Sequence, residues 1–71
     1  MPKLPSLTPK QVISILTQKG FIFDRSSGSH YIYYNPNTGR KAVIPFHNKD
    51  LPKGTLNQIL KQAGIDRDEI I

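Results

Sequence analysis

The sequence predicts an α+β domain of element order αβββα, a three-stranded antiparallel sheet with two helices on one face. Three observations predict it. Apolar residues recur at helical spacing in two stretches, residues 9–19 and 52–63. Between these stretches lie three short runs of aromatic and branched residues, the composition of strands. Clusters rich in Ser, Asn, Pro and Gly separate the runs and supply turns. Two amphipathic helices and one short sheet must share a single core, so both helices should cover the same face and leave the other open.

Residues 1 to 7, with Pro2 and Pro5, read as an extended lead-in. A punctuated helix follows at about 9–19. Thr8 is a capping residue, Pro9 suits the first helical position, and Gln11 stands three residues after Thr8 to complete a capping box. Leu7 and Val12 have the spacing of a hydrophobic staple. Val12, Ile13 and Leu16, with Ile15 at the edge, make one apolar stripe, and Gly20 is the stop. The first strand is expected at Phe21 to Arg25, with Ser26-Ser27-Gly28 turning the chain. The second spans Ser29 to Asn35, and Pro36-Asn37-Thr38-Gly39 is the next turn. Arg40 to about Phe46 is the third strand, and Pro45 marks it as an edge strand or as near its end. In the second helix Leu56, Ile59, Leu60 and Ala63 share a face. Gly64 ends it, with Ile65 returning to Leu60 in a Schellman-type stop. Asp66 and Glu69 can box a last turn carrying Ile70 and Ile71.

A chain of 71 residues makes one domain, 1–71, and buries only about 60% of its unfolded surface, so its core is thin. With no cysteine there is no disulfide or thiolate metal site to compensate. No apolar run approaches the roughly 18 residues of a membrane span, and no signal peptide is apparent, so the expectation is a soluble cytoplasmic protein. The net charge is +5, and three of the five acids, Asp66, Asp68 and Glu69, sit near the end. Residues 1 to 65 carry nine basic side chains against Asp24 and Asp50, a net of +7. Such a body suits a polyanion, either nucleic acid or an acidic protein partner, although the same charge also serves a plainly solvated surface.

Strand parity then sorts the side chains. Ala42, Ile44 and Phe46 form the only alternating set of the third strand without a polar member, so this set faces the helices. Opposing it with Tyr31 and Tyr33 requires paired residue numbers that sum to an odd value such as 75, the register given by a turn centred on Asn37 and Thr38. His30 then lies opposite Pro45 on the open face, and the same parity sends His47 and Lys41 there beside Tyr34. A slip of one residue would reverse His47.

An imidazole beside cations fits metal-free phosphodiester transesterification. A base removes the proton of a ribose 2′-hydroxyl, while Lys or Arg stabilises the charge gathering on the phosphorus oxygens. Asp24 and Asp50 are isolated in sequence and form no carboxylate cluster for Mg²⁺, so neither metal nor cofactor is expected. On the residues alone His30 is a catalytic group, a simple RNA contact, or an inert strand histidine. Lys53-Gly54-Thr55 either starts a helix or meets phosphate. Ser29 reads as a strand-edge hydrogen-bonding group more than as a nucleophile. Tyr31 and Tyr33 read as core, whereas Tyr34 can stack a base. Arg25, Lys41 and Lys49 supply general electrostatics, with Lys41 the one expected nearest the scissile phosphate.

Four pieces of the chain resemble a known family. They are the first helix ending in "QKGF", "GSH" at 28–30, "IPFH" at 44–47, and "KGTLNQILKQAGI" at 53–65. Together they resemble the HicA toxins, also called YcfA-like mRNA interferases, of bacterial toxin–antitoxin pairs, over nearly the whole chain. The resemblance implies a double-stranded-RNA-binding-domain-like fold and endoribonuclease activity on mRNA, with His30 of the "GSH" element catalytic. It also implies an inhibitory partner, a HicB-type antitoxin, expected to cover the His30 face. His47, Lys41 and Ser29 are candidates for catalytic support, and Arg25, Lys41, Lys49, Lys53 and Tyr34 for RNA binding. The rival readings are a non-catalytic RNA-binding module on the same fold, and a domain whose positive face serves only an acidic protein.

Overall fold

The computed structural model describes residues 6–47 and 49–70. Most of the lead-in, including Pro2 and Pro5, and Ile71 of the last turn lie outside the described residues. The elements are α1 (Pro9–Gln18), β1 (Ile22–Ser27), β2 (His30–Tyr34), β3 (Lys41–Pro45) and α2 (Lys53–Ala63), followed by a 3-10 turn at Arg67–Glu69. The strands form one antiparallel sheet in the order β1-β2-β3. This is the αβββα order read from the sequence, and it is consistent with a double-stranded-RNA-binding-domain-like α+β fold. No helix among the described residues is long and apolar enough to cross a membrane.

The helix ends follow local chemistry. The Thr8 amide donates to Gln11 Oε1 at 2.9 Å and the Gln11 amide donates to Thr8 Oγ1 at 3.2 Å, so the capping box is closed. At the other end of α1 the Phe21 amide reaches the Leu16 carbonyl (3.0 Å) and the Gly20 amide reaches that of Thr17 (3.1 Å). That is a Schellman motif, with Gly20 taking the positive φ it demands. α2 ends in the same way, the Ile65 amide donating to the Leu60 carbonyl at 3.0 Å. In the last turn the Asp66 amide donates to Glu69 Oε2 at 2.8 Å.

Val12, Leu16, Phe21, Ala42, Ile44, Leu51, Leu56, Ile59, Leu60, Ala63 and Ile65 form the core. The β2–β3 register is the one parity required, with Tyr31 opposite Ile44, Tyr33 opposite Ala42 and His30 opposite Pro45. Tyr31 and Tyr33 do face the helical side, but they are only half-buried and so correct their reading as core residues. The reason is lateral placement: the helices pack mainly over β3 and cover the β1–β2 hairpin only in part. Burial, and then the neighbouring Tyr31 phenol, still hold the Tyr33 hydroxyl above the usual tyrosine range.

The first strand also differs from its expected limits. Ser26 and Ser27 belong to β1 and pair with Tyr31 and His30, and the turn is only Gly28-Ser29. Gly28 has φ +59° and Ser29 has no positive φ, the pattern of a type II′ hairpin, whose twist lets the strands pair up to the turn. A bulge at Asp24 shifts the register between Phe23 and Arg25. The β2–β3 loop is organised by Asn35, which is buried. Its side-chain oxygen accepts from the Asn37 amide (2.9 Å) and the Thr38 amide (3.4 Å), and its Nδ2 donates to the Lys19 carbonyl (3.2 Å).

Candidate active site at the hairpin turn

The open face follows from the two ladders. Cross-strand partners point to one side, so Ile22, Tyr34 and Lys41 share a row, as do Arg25, Ile32 and Val43, and then Ser27, His30 and Pro45. His30 is exposed and is the first residue of β2, directly after the turn that Gly28 makes possible. The carbonyl of Ser29 accepts from the Phe46 amide at 2.6 Å, which ties the turn to the chain leaving β3. The "GSH" element is therefore a turn glycine, a serine whose backbone is anchored, and an imidazole held at a strand start.

Arg25 sits diagonally from His30, two residues along β1 from its partner Ser27, a Cα spacing of about 7–8 Å. Lys41 does not join this group. It pairs with Tyr34 at the other end of the face, four residues from Pro45, or about 13 Å of strand. The cation nearest His30 by register is Arg25, which corrects the expectation for Lys41, and Tyr34 goes with Lys41 to the far end.

His47 needs a correction of a different kind. β3 ends at Pro45, so alternation no longer governs residue 47. His47 instead lines a depression of about 180 Å³ with Thr8, Lys10 and Phe46, at the start of α1. Its neighbours there are the start of α1 and Phe46, whose amide is bonded to the Ser29 carbonyl of the turn.

Lys49 is exposed in the segment between β3 and α2, which is fastened where the Leu51 amide donates to the Leu7 carbonyl at 2.8 Å. Lys53 opens α2. Gln62, near the other end of that helix, accepts from the Val43 amide through Oε1 at 3.1 Å, and Arg40 lies against Gly64. α2 therefore runs antiparallel to β3, and its Lys53 end lies toward Pro45 and the hairpin turn. Sequence reading assigned no role to Arg40, Lys61 and Arg67, which line an open depression of about 520 Å³ with Asp66 at the C-terminal end of α2. Their clustering has no sequence signal, because it depends on where the β2–β3 loop meets the last turn.

With this geometry in view, the comparisons with known proteins are specific. The family model for the HicA toxin of bacterial toxin–antitoxin systems matches residues 9–65. That span runs from the first residue of α1 to the Schellman stop of α2 and contains the whole sheet. Comparison with curated proteins gives no match.

Proposed function

Because the chain belongs to the HicA toxin family of bacterial toxin–antitoxin systems, we propose that it is a metal-independent endoribonuclease that cleaves mRNA with His30 as general acid or base. The observation that carries this reading is an exposed imidazole fixed at the hairpin turn, with Ser27 opposite and Arg25 diagonal to it on an open sheet face. Membership of the family makes the chain the toxin of a pair and implies an antitoxin partner.

The chemistry is a transesterification. The ribose 2′-hydroxyl loses its proton and its oxygen attacks the adjacent phosphorus. The 5′-oxygen of the next nucleotide leaves and takes up a proton, so the products are a 2′,3′-cyclic phosphate and a free 5′-hydroxyl. His30 performs one of the two proton transfers. Arg25 offsets the charge that builds on the non-bridging oxygens. Ser29 contributes backbone anchoring, while Lys49 and Lys53 add phosphate attraction around the site. Imidazole and guanidinium carry the work in this reading; among the described residues no group of three His, Cys, Asp or Glu side chains converges. A HicB-type antitoxin with an acidic surface would inhibit by covering the His30 face and competing for these cations.

The test is incubation of the purified protein with RNA in EDTA, comparing wild type with His30→Ala. General acid–base groups contribute about 10²- to 10⁴-fold in rate, and a loss of that size with an unchanged fold is expected. Cleavage by the variant at the wild-type rate would remove His30 from the mechanism. RNA binding without cleavage by the wild type would leave a binding module.

A further inference from the structure

The helices pack mainly over β3 and leave the same face of the β1–β2 hairpin only partly covered. Three rings run diagonally from that hairpin to the end of β3. Phe23 on β1 meets Tyr31 on β2 edge-on, with centroids 5.9 Å apart. Tyr31 stacks on Phe46, one residue beyond β3, at 4.6 Å and an interplanar angle of 18°. Phe23 is 52% exposed, and the other two rings are half-buried. Past Phe46 the diagonal opens into the depression it shares with Thr8, Lys10 and His47. The line of rings thus ends between a lysine and a histidine, one backbone hydrogen bond from the turn that presents His30.

A row of one exposed and two half-buried rings forgoes part of the hydrophobic stabilisation it would gain under a helix, and such a patch marks a surface that meets a partner. Charge says which partner. An apolar peptide segment would cover the rings and leave Lys10 and His47 unmatched, whereas bases joined by phosphates match both. Duplex RNA hides its base faces inside the stack, while unpaired bases can lie on aromatic side chains.

We infer that Phe23, Tyr31 and Phe46 are a stacking track for the unpaired bases of single-stranded RNA, with Lys10 and His47 meeting the phosphates between them. The inference rests on the ribonuclease proposal and adds a substrate class to it. Bases lie on the helical side of the hairpin. The backbone then passes around the two-residue tip, which brings a phosphate to His30 on the opposite face. His47 becomes an RNA contact in this arrangement rather than a second proton-transfer group.

The experiment uses RNA methylated at its 2′-hydroxyls, which cannot undergo transesterification, so binding is read with His30 intact. Fluorescence anisotropy of one labelled mixed-sequence strand is compared, alone and as a blunt duplex, for the parent, Phe23→Ser, Phe46→Leu and Lys10→Gln. Each ring variant should weaken single-strand binding by roughly 5- to 100-fold and leave duplex binding unchanged. The ring variants should keep the parent's salt dependence, and Lys10→Gln should lower the salt slope by about 1. Phe23 is exposed, so Phe23→Ser tests the track even if Phe46→Leu loosens the core. Ring variants that bind the single strand like the parent overturn the track and leave the ribonuclease proposal standing. Equal losses for single strand and duplex also overturn it, because the rings would then only support the fold. A parent that binds neither RNA at low salt overturns both.

Discussion

β1 and β3 flank the same central strand, yet they are held in different ways. On β3, Ala42 and Ile44 are fully buried beneath the helices, and the outward amide of Val43 is taken by Gln62. On β1 every residue is exposed, Ile22 and Phe23 by more than half, and the strand is held by its ladder to β2 and by ring contacts of Phe23 with Tyr31 and Tyr33. The strand start that presents His30 belongs to the exposed hairpin. The sheet thus keeps its stability on one side and its reactive candidates on the other. A domain this small has little core to share between the two.

The largest expected effect follows from that division. Ile44→Ala should cost about 2–5 kcal/mol, a large part of what a small domain has, whereas Ile22→Ala should stay within about 0.5 kcal/mol. Urea denaturation of the two variants measures the contrast, and equal losses would break it. Asn35→Ala comes next. It strands the Lys19 carbonyl and the Asn37 amide where the β2–β3 loop meets α1, at a cost of about 1–3 kcal/mol. Hydrogen exchange at the Asn37 amide should speed up with it, and unchanged protection there would show that the loop does not depend on Asn35.

Gly28→Ala sharpens the comparison from the hairpin side. Nothing lies within 4 Å of an added Cβ, so the cost is backbone strain alone, about 1–2 kcal/mol. RNA cleavage should fall by more than stability does, because the turn aims His30. Proportional losses would mean that the turn only supports the fold. The smallest effect belongs to the Lys19–Glu69 pair at 2.7 Å. The Lys19 hydrogen bond, and then the Asp66 amide, hold the Glu69 carboxyl below its usual range. A lowered folded-state pKa contributes stability that is present above the ordinary glutamate value and is lost as pH falls through the folded one. Thermal melts of wild type and Glu69→Gln should therefore differ slightly at neutral pH and coincide in acid. A difference that persists in acid would point to some contact other than the charge.

The element order, the helix stops and the β2–β3 register were legible because each rests on local rules. The capping box needs Thr8 and Gln11 at fixed spacing, and alternation alone pairs His30 with Pro45 once Ala42 and Ile44 are turned inward. Alternation failed for His47 because it holds only within a strand, and β3 ends two residues earlier. It also sorts faces without measuring distance along them, so it puts Lys41 and His30 on one face although they stand at opposite ends of it. The half-exposure of Tyr31 and Tyr33 depends on the sideways position of the helices, and the role of Asn35 depends on α1 arriving beside the loop. Neither leaves a pattern in the sequence.

Pro45 has one further consequence. The Phe46 amide points inward to Ser29, so the backbone nitrogens of residues 43 and 45 point away from the sheet. The first gives its hydrogen to Gln62, and the second, a proline, has none to give. At the opposite margin the Asp24 bulge breaks the even spacing that an incoming strand would need. Neither margin offers a regular template for templated polymerisation, so a chain parted from its antitoxin can stay dispersed among its own copies instead of joining them edge to edge.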